Sequence, residues 1–111
     1  MYKNIEKQVC LKLKDLVDYQ EGQVVSKTLA QNSAVSVTIF AFDKDEEIGT
    51  HDSRGDAMVT VLEGVGRFTV DGKDYVLHPG ESLVMPAEKP HAVYAQEAVK
   101  MCLGVIFPQE K

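Results

Sequence analysis

Apolar side chains fall at every second position in Val35-Ser36-Val37-Thr38-Ile39-Phe40-Ala41-Phe42 and again between Arg67 and Leu77. No long stretch carries a helical period. A period of two puts successive side chains on opposite faces of an extended backbone, so a chain written this way folds as strands. Strands need partners for their backbone groups, and 111 residues suffice for one core but not two. The expectation is an all-β single domain over residues 1–111, a sandwich or closed barrel over 21–108 preceded by an N-terminal extension or edge strand over 1–20.

Local signals set the strands. Val35, Val37, Ile39 and Ala41 share one face, while Phe40 and Phe42 make the other apolar, so this strand is expected to be covered on both sides. Asp71-Gly72 accepts the positive φ angles of a two-residue hairpin turn, which pairs Phe68 with Tyr75 and places Phe68, Val70, Tyr75 and Leu77 on one face. Further strands are expected at Gln23–Ala30, Ala57–Leu62, Ser82–Met85, His91–Ala95 and Val99–Phe107. Val9, Leu11 and Leu13 alternate with Cys10, Lys12 and Lys14, the pattern of an edge strand, with room for a turn of helix before it. Asp43-Lys44-Asp45-Glu46-Glu47 reads as a solvated loop, and Gly64 and Gly66 as turn or close-packing glycines.

Several function classes drop out on charge and composition. A net charge of -5 with no basic stripe argues against nucleic acid and anionic membranes as partners. The charged start, Met1 to Lys7, lacks the apolar core of a signal peptide, and a cytoplasmic location is the expectation. Cys10 and Cys102 have no C-x-x-C spacing and read as two reduced thiols. Ser53 lies near His51 but has no strained nucleophile turn and no orienting acid, so nucleophilic catalysis finds no support. His78 precedes Pro79-Gly80 and reads as a turn residue aimed at solvent.

The stretch from Gly49 to Ala95 resembles the two motifs of the cupin superfamily. Gly80-Glu81-Ser82-Leu83-Val84-Met85-Pro86-Ala87-Glu88-Lys89-Pro90-His91 keeps the Gly, Pro and His of the second motif at matching spacing, with Glu88 in a Gly position and Ala95 in an Asn position. Counting back from Gly64, the first motif's two His positions fall on His51 and Ser53 and its Glu position on Ala57. The resemblance implies a jelly-roll barrel, or double-stranded β-helix, of the RmlC-like type. It also implies a reduced metal site in which His51 and His91 hold one divalent ion such as Zn, Fe, Mn or Ni.

Asp56 is the candidate third ligand, which would complete a two-histidine, one-carboxylate face. Period-two geometry turns Asp56 away if Ala57 faces the pocket, unless Gly55 permits a bulge. Ser53, Ala57, Met85 and Val93 are the expected pocket lining, while Met58, Met101, Phe40 and Tyr94 suit either a cavity wall or ordinary core. Two protein nitrogens leave most coordination positions to water or to a chelating ligand. The leading expectation is therefore a module that binds a small organic molecule, an anion included, with or without a loosely held metal. The alternative is a metal-dependent enzyme of dioxygenase, isomerase or decarboxylase type. A third reading makes the chain an assembly surface, a homodimer in which the N-terminal strand adds to a partner's sheet.

Overall fold

The computed structural model describes residues 1–109. The described chain forms nine strands: β1 (Val24–Gln31), β2 (Val35–Phe42), β3 (Glu47–His51), β4 (Asp56–Glu63), β5 (Gly66–Val70), β6 (Lys73–Leu77), β7 (Ser82–Met85), β8 (His91–Ala95) and β9 (Val99–Ile106). They make two antiparallel sheets, ordered β1-β2-β9-β4-β7 and β3-β8-β5-β6. The last strand lies between β2 and β4, so the sheet is completed only when the far end of the chain arrives. This is the all-β architecture that the alternation predicts and the jelly-roll barrel that the resemblance implies, with the anticipated strands displaced by one residue or less at most ends.

The registers show how the apolar pattern is used. Phe40 faces Met101 and Phe42 faces Val99 across β2 and β9, while Val61 faces Met101 across β4 and β9. These side chains enter the space between the sheets with Val59, Phe68 and Val93. On β2, Ile39 and Ala41 point the other way and are also fully buried, packed with Leu29 and Val17. The expected two-sided burial of β2 is thus observed. The β5–β6 hairpin pairs Phe68 with Tyr75 through a turn in which Asp71 and Gly72 have φ of 49° and 82°, the geometry of a type I′ connection.

Two elements depart from the sequence expectations. Residues 9–13 form no edge strand. The N-terminal segment contains a single 3-10 helix, Leu13–Leu16, and lies against the outer face of the five-stranded sheet, where Leu13, Leu16 and Tyr19 pack on Ile39 and Ala41. Of the apolar residues that alternate there, Leu13 packs on this cluster while Val9 is exposed. The second departure is β3, which starts at Glu47 in a stretch whose charges suggest only a loop. Asp43 and Asp45 build the turn before it: Asp43 Oδ2 accepts the Gly22 N–H at 2.8 Å, and Asp45 Oδ1 accepts the Tyr94 hydroxyl at 2.6 Å. No helix among the described residues is long and apolar enough to cross a membrane.

Candidate functional site: a cross-strand histidine pair over an apolar cavity

Antiparallel pairing of β3 with β8 sets Glu47 opposite Tyr94 and Ile48 opposite Val93, and a register irregularity then brings His51 opposite His91. Residues forty positions apart in sequence become cross-strand neighbours, with ring centroids 4.2 Å apart and planes inclined by 65°. His91 also faces Val70 of β5, so it lies within the sheet and is 5% exposed. His51 is on the edge strand and is exposed.

Each ring is anchored through the same atom. His51 Nδ1 lies 2.9 Å from the Gly49 carbonyl oxygen and His91 Nδ1 3.2 Å from that of Lys89. A carbonyl only accepts, so both Nδ1 atoms carry the proton, and each neutral imidazole keeps its lone pair on Nε2. Burial lowers the His91 pKa below its ordinary value of 6.5, and the positive charge of a protonated His51 would lower it further. The bond to Lys89 and the negative Asp52 work in the opposite direction. His91 is consequently neutral at neutral pH.

Behind the pair lies a cavity of about 70 Å³, with Phe40, Ile48, Val59, Phe68, Met101 and Leu103 in its wall along with Met85 and Val93. Small-molecule sites usually span about 300–1,000 Å³, so this space suits only a small group. Apart from the two histidines its walls are apolar.

Of the four residues expected to line the pocket, two border this cavity. Met85 and Val93 border the cavity, whereas Ser53 and Ala57 do not. Ser53 sits between β3 and β4, where its hydroxyl accepts the Gly55 N–H at 3.2 Å and its carbonyl accepts the Glu88 N–H at 2.8 Å. Ala57 is buried in the core between Met85 and Val105. Asp56 is turned outward, as period two requires, and its Oδ1 accepts the Ala87 N–H at 2.8 Å. No group of three His, Cys, Asp or Glu side chains that could hold a metal occurs among the described residues. Met58 is on the outer surface, Tyr94 is outside the cavity, and His78 is an exposed turn residue beside Glu81.

Ile48 was hidden by the charge run before it, although its place one residue before Gly49 and three before His51 suits a strand that ends at the site. Phe68, Val59 and Leu103 read in sequence as ordinary core, and nothing in their spacing separates a cavity wall from a filled interior.

The family model for the cupin domain matches residues 38–107. Among solved structures, a conserved protein of unknown function from Streptococcus pyogenes is 43% identical over 98% of this chain and 96% of its own, with a TM-score of 0.95. A cupin superfamily protein from Desulfitobacterium hafniense is 30% identical over 97% of this chain and 99% of its own, with a TM-score of 0.93. A cupin 2 conserved barrel domain protein from Leptotrichia buccalis is 44% identical over 86% of this chain but only 47% of its own, with a TM-score of 0.85. The comparison with curated proteins gives no match. A family model covering most of the chain and full-length relatives of this similarity, on a barrel that pairs His51 with His91, make one conclusion plain: the chain belongs to the cupin family.

Proposed function

We propose that this cupin is a small-molecule-binding module in which His51 and His91 form a two-nitrogen site for an exchangeable divalent metal. The supporting observation is the shared anchoring of the rings. Hydrogen bonding of the second ring nitrogen to a carbonyl is the usual way a protein fixes the tautomer and direction of a metal-binding imidazole. The neutral state of His91 also leaves its lone pair free at neutral pH. Two imidazoles suit zinc, iron, manganese or nickel, and such an ion would supply a positive charge to which a small chelating anion can bind. The chain's own part is to present both nitrogens at the mouth, exclude water from the apolar cavity and limit what enters it.

The dimensions narrow the ligand. Only a short apolar group fits behind the pair, so the polar, chelating end lies outward over the exposed His51. Metal uptake by the intact protein, by His51→Ala and by His91→Ala provides the test. Each single variant should bind zinc, manganese, iron(II) or nickel at least about tenfold more weakly than the parent. Equal uptake by all three folded proteins would overturn the reading. With metal present, small chelating carboxylates should bind saturably without being consumed, and product formation would make the protein an enzyme.

A further inference from the structure

Two methionines share the cavity with the histidine pair. Met85 ends β7, directly before Pro86 and paired with Ala57, and Met101 lies on β9 between Phe40 and Val61. They are 2% and 3% exposed, and both border the same space of about 70 Å³ as His51 and His91. The imidazoles come from the four-stranded sheet and the thioethers from the five-stranded one, so closure of the barrel brings them around one cavity. The other side chains of the wall, Phe40, Ile48, Val59, Phe68, Val93 and Leu103, are hydrocarbon.

The side-chain donors at this space are therefore two nitrogens and two sulfurs, and none of them is anionic. Methionine also fills core gaps, yet these two border a gap that they leave open. Thioether sulfur is a soft donor that favours copper(I) and adds little to zinc, manganese, iron(II) or nickel. Charge acts in the same direction. The cost of taking an ion out of water grows as the square of its charge, and among the described residues no third His, Cys, Asp or Glu joins the pair to offset a double charge. A divalent ion stays at the mouth, where water completes its shell, whereas a monovalent one can be drawn inward to the sulfurs.

We propose that copper(I) is the ion this cavity selects, held by Nε2 of His51 and His91 and by the thioether sulfur of Met85, Met101 or both. The proposal rests on the reading of the histidine pair as a metal site, and it gives the two methionines the role of choosing the metal. Methionine is unbranched and flexible, so its sulfur can turn to an ion without movement of the backbone.

The full chain should take copper(I), supplied anaerobically with ascorbate, from bicinchoninate, and X-ray absorption at the copper edge should show sulfur beside nitrogen. Met85→Leu with Met101→Leu, swaps that conserve core volume, should narrow the preference for copper(I) over zinc by at least about tenfold. Met58→Leu on the outer surface and Cys10→Ser, which removes the exposed thiol, should leave copper(I) affinity unchanged. Circular dichroism confirms the fold of each variant, and Met85→Leu alone substitutes for a double variant that misfolds. A parent that takes no copper(I), a spectrum without sulfur, an unchanged preference in the folded methionine variant, or loss of copper(I) from Cys10→Ser would overturn the proposal while leaving the histidine pair as a site for divalent metal. A His91→Ala chain that binds both metals as the parent does would overturn the pair as well.

Discussion

Of the four ring nitrogens in the histidine pair, two are engaged with carbonyls and two remain. That division gives the residues a pH signature. The folded pKa of His91 is depressed, so below the ordinary value of 6.5 the unfolded chain takes up a proton more readily than the folded one. In metal-free protein the contribution of His91 is intact above about pH 6.5, diminishes as pH falls towards the folded pKa, and levels off below it. Urea denaturation at a series of pH values should show this decline in the parent, and His91→Gln should lack it. His91 and His51 were legible in the sequence because Gly80, Pro86 and His91 keep a recognisable spacing and Gly64 sets the count back to His51. The cavity wall was not. On β2 both faces are apolar, and alternation alone does not tell that Phe40 looks into the barrel while Ile39 looks under the N-terminal segment.

At the scale of elements, the N-terminal segment is the part least visible in sequence and the most dependent on polar anchoring. Tyr19 donates its hydroxyl to Glu63 at 2.6 Å, and the buried Lys100 ammonium donates to the Lys14 carbonyl at 2.9 Å and stands 5.0 Å from the Tyr19 ring centre. The Tyr19 bond, with help from Lys100 and Lys14, holds the Glu63 carboxyl below its usual range, while burial of the tyrosine hydroxyl and its bond to Glu63 raise the Tyr19 pKa. Tyr19→Phe should cost about 1 kcal/mol, a charge-assisted hydrogen bond discounted for its solvent exposure. Thermal melts should register the loss as about 4–8 °C. Alternation at residues 9–13 suggested a strand, but the pattern is too short to separate a pleat from an irregular segment in which Leu13 packs inward and Val9 stays exposed. The β5–β6 hairpin, in contrast, was specified locally. Gly72→Val at φ 82° should destabilise by about 1–2 kcal/mol, measurable by urea denaturation.

For the whole molecule, metal and fold should be coupled, because the two histidines lie on different strands and meet only in the folded barrel. A ligand at 100 times its dissociation constant adds about 2.7 kcal/mol to the stability of the state that binds it. Saturating divalent metal should therefore raise the melting temperature by about 10–20 °C, and chelator should reverse the rise. His51→Ala and His91→Ala should each show less of it at the same metal concentration. The architecture was legible from alternation and turn residues, yet the place of β9 between β2 and β4 was not, since pairing partners far apart in sequence leave no local signal.

The two strands that carry the pair are unequally held. β8 has neighbours on both sides, whereas β3 is the edge of its sheet and pairs irregularly just before His51. An edge segment opens by local fraying far more often than a central one. Release of anything bound by both rings can then begin at β3 while the barrel stays closed, which makes residence time a property of the edge strand. Amide hydrogen exchange at residues 48–51 should slow when the site is filled, with exchange in β8 changing little. A substitution that tightens β3 against β8 without touching either histidine should lengthen the occupancy of the site.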